Sequence, residues 1–284
     1  MIDAMNVWTI THKELRDALR NRWFLLYTIA FGGLALALSA LSHPGGTLTQ
    51  LAGYGRTAAG LINLVLLFVP LIGLTLGAAN LVGERETGVL DYLLSHPVTR
   101  PEVLLGKYLG LAGALLASLC LGFGLAGVYL ALREQGGDAG SYLITVALAW
   151  LLGLAMLSLG FLVSTIARKT STALGVALFL WLVLAFIGDL GIMGAAVVTQ
   201  LPISQVFLIS VLNPLQLFKM ASILSIQANL EVLGPAGIYA TQQFGTNLSP
   251  FLIGGLILWV LVPLAVALFF FDREGASPVK GKAT

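Results

Sequence analysis

The residues able to do chemistry are few, and most of them stand apart. His12, His43 and His96 are too scattered for a metal site made of sequence neighbours, and no His-Glu-x-x-His occurs. Gly106-Lys107 is followed by Tyr108 rather than Ser or Thr, and Pro101 stands where a phosphate-cradling loop needs its first glycine. No Gly-x-Ser-x-Gly elbow is present. Cys120 and Met156 are soft atoms within apolar runs, and Met193 and Met220 lie further along. Such methionines fill cores more often than they bind metal. Asp189 reads as a helix-end residue near the headgroups, with a functional intramembrane acid as the alternative. The one dense polar group is Gly83-Glu84-Arg85-Glu86-Thr87-Gly88, running on to Pro97. Its alternating charges could pair across a protein interface while Leu90 and Leu94 enter a groove. Exposed ion pairs contribute only about 0–1 kcal/mol, so the apolar residues would carry most of such a contact. A salt-bridged helix start is the plainer reading of Glu84, Arg85 and Glu86.

The elements around this group follow from spacing. Val89, Leu90, Leu93 and Leu94 share one side of a short helix, with Glu84, Glu86 and Asp91 largely elsewhere. Gly83 and Gly88 shape its entry, and Pro97 ends it. Thr99 can cap the next helix, with Pro101 in the first turn and Glu102 placed for a capping box. Residues 83–102 thus read as a rigid surface segment fixed between two long apolar runs, suited to contact with a motor on the same side.

Composition sets the class. The chain is 58% hydrophobic and 10% charged, against about 25% charged in soluble domains. Runs of about 20 apolar residues can each cross a bilayer core. The expectation is an all-α polytopic membrane protein with six spans, near 23–41, 58–82, 108–132, 142–166, 172–197 and 250–271. Pro70 and Pro263 should kink two of them. Residues 1–22 form an amphipathic interfacial helix, with Trp8, Leu15, Leu19 and Trp23 on its stripe. A signal peptide is rejected, because the segment before Trp23 is long and structured. With the N-terminus inside, the outer segments hold only Arg56, Arg133 and Lys219 of the 15 basic residues. The positive-inside rule therefore puts both termini, residues 83–102 and the tail 272–284 in the cytoplasm. Residues 198–249 contain two apolar helices, each too short to span, around Asn213-Pro214. They read as an extracytoplasmic re-entrant hairpin, with Asn213, Pro214, Leu217, Phe218 and Lys219 available to an outer partner. A cap that merely seals the bundle is an equal alternative.

Leu81-Val82-Gly83-Glu84-Arg85-Glu86-Thr87-Gly88-Val89-Leu90, then Pro97-Val98-Thr99-Arg100 and Gly106-Lys107, resembles the cytoplasmic loop of ABC-2 type permeases. The stretch Lys13 to Trp23 resembles that family's entry helix, and the six-span layout and outer hairpin extend the likeness over nearly the whole chain. Lys13-Glu14-Leu15, Leu19-Arg20-Asn21-Arg22-Trp23 and Leu212-Asn213-Pro214-Leu215-Gln216-Leu217-Phe218-Lys219 narrow it to NosY-type permeases of copper-processing transporters. The resemblance implies one permease domain over 1–284 with the type V exporter-like architecture, in a bacterial inner membrane. It implies a second copy of the chain, a cytoplasmic ATPase dimer that binds ATP and Mg, and a periplasmic partner. The implied role is copper or sulfur delivery during nitrous oxide reductase maturation, with no cofactor or metal in this chain and no nucleic acid partner. An exporter of lipid, polysaccharide, drug or ion, and a membrane anchor that transports nothing, are the rival readings. The spans lack an evident line of copper ligands, which favours a sulfur-containing substrate or mechanical work on the outer partner.

Overall fold

The structure, a computed structural model, describes residues 3–41, 50–132, 139–186, 203–226 and 235–276. Among these every regular element is helical. An entry helix α1 (Ala4–Arg20) leads into α2 (Arg22–Leu41). Asn21 makes the joint: its N–H donates to the Ala18 carbonyl, and its side chain accepts from the Trp23 N–H at 2.9 Å. One residue thus ends the first helix and caps the second. Then follow α3 (Gln50–Thr87), the short α4 (Val89–Leu94), α5 (Arg100–Leu132), α6 (Ala139–Ile166) and α7 (Thr170–Phe186). The last part holds α8 (Ile203–Val211), α9 (Pro214–Ser225), α10 (Pro235–Phe244), a 3-10 turn Gly245–Asn247 and α11 (Leu248–Ala276).

Among the described residues five helices are long and apolar enough to cross a membrane: α2, the Ala59–Thr87 part of α3, α5, α6 and α11 up to Arg273; the bent pair of α8 and α9 would make a sixth if it is one span. The expected fifth span is represented by α7, whose 17 residues give about 25 Å at the helical rise. Its expected continuation to 197, with Asp189 and Met193, lies outside the described residues. So do much of the loops at 43–57 and 133–141, residues 198–202 and 227–234 of the expected outer hairpin, and the tail beyond 276. Pro70 and Pro263 sit inside continuous helices.

The bundle is held by close backbone approach. A Cβ added to Gly77 would lie 2.6 Å from the Leu157 carbonyl and 2.9 Å from the Gly160 Cα. One added to Gly160 would lie 2.6 Å from the Leu74 carbonyl. Within a bilayer the hydrophobic effect gives helices no reason to associate, so contact between small residues supplies the packing. Two polar side chains inside the spans bond to backbone carbonyls of neighbouring helices: the Tyr142 hydroxyl donates to the Phe123 carbonyl at 2.6 Å, and the Trp150 indole to the Ala112 carbonyl at 3.1 Å. One core cluster gathers Phe31, Val65, Phe123, Phe218 and Leu252. A second, toward α1 and α4, gathers Phe24, Leu81, Leu90, Val103, Phe161 and Phe271.

The entry helix turns its expected stripe away from the bundle. Trp8 and Trp23 are exposed and Leu15 half-buried, whereas Ile10, Glu14 and Ala18 are buried. Its inner face rests on the backbone of α5, because Gly106 and Gly110 leave room there: Cβ atoms at these positions would meet Ile10 at 2.7 Å and Glu14 at 2.6 Å.

Candidate functional site

The segment between α3 and α5 is built from local signals. Gly88, at φ 75°, ends α3 in the left-handed region, which costs an L-residue roughly 1–2 kcal/mol and glycine nothing comparable. Its carbonyl accepts the first bond of α4, from the Tyr92 N–H at 3.2 Å. Past Pro97, the Glu102 carboxylate accepts the Thr99 N–H at 2.9 Å, which is half of the expected capping box.

The side of α4 that faces outward differs from the expected one. Leu90 is only 3% exposed and sits in the core with Val103 and Leu104. Leu93 and Leu94 are half-buried against the same cluster. The stripe bearing the leucines is the seat of the helix, because α4 lies flat on the bundle end and buries its more continuous apolar face. Its outer surface is Val89, Asp91, Tyr92, Ser95 and His96, with Pro97 beside them. Tyr92 is 70% exposed, and its ring meets His96 edge-on at 5.1 Å. An exposed aromatic pair beside one carboxylate is a compact anchor for a protein partner.

Each charge before α4 is bonded within the chain, Glu84 and Arg85 half-buried and Glu86 at the surface. Lys107, 1% exposed, bridges Glu14 at 3.0 Å and Glu84 at 2.7 Å. The Asn80 amide donates to the other oxygen of Glu14. Arg85 donates to the Ala167 carbonyl at 3.2 Å, beyond the end of α6. Glu86 accepts from both the N–H and the hydroxyl of Thr170, where its charge favours the start of α7. Glu84, Arg85 and Glu86 therefore tie α3 to α5, to the end of α6 and to α7, Asn80 ties it to α1, and Gly83 lies half-buried beside Thr170.

Glu102 and Arg100 extend the frame. Glu102, 2% exposed, also accepts from the Asp3 N–H at 2.7 Å and the Asn6 amide at 3.3 Å. Asn6 reaches the Pro97 carbonyl at 3.4 Å, and the Thr11 hydroxyl donates to the Gly106 carbonyl at 3.1 Å. Arg100 donates to the Phe271 carbonyl at 3.3 Å and lies 5.3 Å from the centre of the Phe271 ring. Lys107, Asn80 and Tyr92 are residues whose roles sequence reasoning missed, and Glu102 was read only as a capping residue. The readable signal was Gly106-x-x-x-Gly110, a small-residue seam for α1.

At the other end, α8 and α9 meet with a bend of 104°. Asn213 fixes it: its side chain accepts the Leu215 N–H at 2.9 Å and donates to the Leu184 carbonyl at 2.6 Å, with Pro214 in the first turn. Asn213, Pro214, Leu217 and Phe218 are buried, and Lys219 is half-buried. They anchor the hairpin to the bundle rather than offer it to a partner. Its exposed residues instead include Ser204, Gln205, Leu208 and Ile209 on α8, Leu212 just after it, and Thr241, Gln242 and Gln243 on α10. Rings of Phe207, Tyr239, Phe244 and Phe251 pack together beneath, with centroids 4.9 to 6.3 Å apart.

Comparison with known proteins decides the family. The model of the family described as "ABC-2 family transporter protein" matches residues 8–276. The chain belongs to the ABC-2 transporter family. It is 33% identical over 274 residues to "Probable ABC transporter permease protein NosY" of Pseudomonas aeruginosa, covering 94% of this chain and 98% of the relative. It is 29% identical over 277 residues to the protein of the same description from Stutzerimonas stutzeri, at the same coverage.

As an ABC-2 permease the chain is a multi-pass membrane subunit that works with a separate ATPase. The soft atoms noted above do not form a pair here: Cys120 is exposed on α5, and Met156 is fully buried on α6 against Gly73. Among the described residues no group of three or more His, Cys, Asp or Glu could hold a metal ion.

Proposed function

We propose that this permease transmits the closure of a cytoplasmic ATPase dimer to an extracytoplasmic partner, as a dimer of this chain, in copper-site maturation of nitrous oxide reductase. The observation that carries the reading is α4: an exposed aromatic surface seated on a frame in which α1, α3, α5, α6, α7 and α11 are cross-tied. Force on Val89 and Tyr92 would move that frame as a unit. Both termini and α4 would lie in the cytoplasm, by the placement of Lys and Arg. Gly83, Glu84, Arg85, Glu86, Gly88, Leu90, Leu94 and Pro97 then serve coupling by holding α4 in place, and contact passes to Val89, Asp91, Tyr92 and His96. The maturation role is supported by the likeness to the two relatives described as NosY. The described spans hold buried apolar side chains where a file of copper ligands would be needed, so a sulfur-containing substrate or mechanical work on the partner fits better than copper passage. The test is affinity purification of the tagged chain from its own membrane, with identification of what stays bound. An ATPase together with a periplasmic protein of copper metabolism is expected. An ATPase alone would return the chain to the ordinary exporters, and no ATPase would overturn the coupling role.

A further inference from the structure

A cavity of about 600 Å3 opens beside the buried charge cluster, between α1, α2, α3, α5 and α7. That volume is ordinary for a small-molecule site of roughly 300–1,000 Å3. One wall is polar and carries Glu14, Asn80 and Glu84; another is apolar and carries Phe24, Tyr27 and Leu174. The polar wall is unbalanced. Glu14 and Glu84 share the single ammonium of Lys107, and Asp17 at the rim is already paired with Lys13 at 3.5 Å. Both oxygens of Glu14 are engaged, by Lys107 and by Asn80. Two buried atoms of the cavity lining have no hydrogen-bond partner among the described residues: the second carboxylate oxygen of Glu84 and the amide oxygen of Asn80. Both are acceptors, and a buried acceptor left unmade costs about 1–3 kcal/mol. The missing group is therefore a donor, and a positive one by the local charge. A hard divalent metal wants six or more oxygens, far more than two open atoms supply. A primary ammonium brings three N–H donors on one centre. Exposed Trp23 and Leu178 flank the cavity, so an apolar tail can run out along α2 and α7 into the surrounding acyl chains.

We infer that this cavity binds the headgroup of an aminophospholipid, its primary ammonium on Glu84 and Asn80 and its chains against Phe24, Tyr27 and Leu174. The inference does not depend on the maturation role. A lipid there bridges the entry helix to α3 and α7 and completes a charge cluster that the chain leaves one cation short. The test uses the full-length permease in bilayers of equal phosphatidylethanolamine and phosphatidylcholine with matched chains, and mass spectrometry of the lipid retained after delipidation. The two headgroups differ in the N–H donors that the site demands. Retention of phosphatidylethanolamine about tenfold over phosphatidylcholine is expected, a difference of about 1.4 kcal/mol. Glu84→Gln should bring the ratio to parity. Leu174→Trp, which fills the apolar wall and leaves the polar set intact, should lose the retained lipid. Unfolding temperatures in phosphatidylcholine alone report whether each variant keeps its fold. Parity in the unmodified protein, or the tenfold ratio surviving in both folded variants, overturns the inference. So does displacement of the retained lipid by millimolar free ethanolamine, which would make the ligand a soluble amine.

Discussion

Lys107 is the most consequential single residue of the frame. An ammonium 1% exposed at the end of a membrane span is tolerable only because two carboxylates meet it. Its removal strands both of them. Lys107→Met should destabilise the permease by about 3–5 kcal/mol, the cost of breaking a buried pair from one side. Thermal unfolding in detergent would read this as a large fall in midpoint. Adding Glu14→Gln and Glu84→Gln to the same chain should recover much of the loss, since the uncompensated charge is then gone. A single variant that unfolds with the unmodified protein would show that the cluster is not structural. Asn213 acts on a smaller scale, through its bonds to Leu215 and Leu184. Asn213→Ala should cost about 1 kcal/mol for the cap, with a further loss for the stranded Leu184 carbonyl.

The seam between α3 and α6 governs the elements. Gly77 and Gly160 touch backbone to backbone, so any side chain there must push the helices apart. Gly160→Leu should cost more than the 1–3 kcal/mol of ordinary overpacking, because its Cβ meets a carbonyl 2.6 Å away rather than a movable side chain. Expression level and unfolding midpoint would both fall; near-native values would contradict the packing described. Element boundaries were readable where capping chemistry was dense: Thr99 with Glu102, and Asn213 with Pro214. The orientation of α4 was not readable. A helix of six residues with Val89 and Tyr92 on one side and Leu90 and Leu94 on the other carries large side chains on both, with Asp91 its only charge. Only the long-range fit of Leu90 against Val103 and Leu104 decides which side is seated. For the same reason Glu84, Arg85 and Glu86 looked like surface charges, since their partners are 23 to 84 residues away in sequence.

At the scale of the molecule, the transmission proposed above would run from α4 to the hairpin through α11. Arg100 holds the Phe271 end of α11, and further along the same helix Gly255 packs on Leu217 of α9, its added Cβ 3.0 Å away. Arg100→Ala should leave ATPase binding intact and weaken transmission. A cysteine placed at Gln242 in a Cys120→Ser background would report it: ATP should change its labelling rate in the parent and do so much less in the Arg100 variant. An equal response in both would place the path elsewhere. The all-helical architecture and its apolar runs were legible in composition, whereas α10 and the aromatic pile under the hairpin were not, because their segment lacks the length and periodicity of a span. In the proposed coupling, the outward face of α4, not its leucine face, meets the motor. The most direct measurement is co-purification of the ATPase with a Val89→Asp, Tyr92→Ala double variant whose unfolding midpoint matches the unmodified chain. The account predicts that bound ATPase falls by about tenfold or more, the effect of losing an interface anchor of about 2 kcal/mol. Full retention of the ATPase by that folded variant would contradict it.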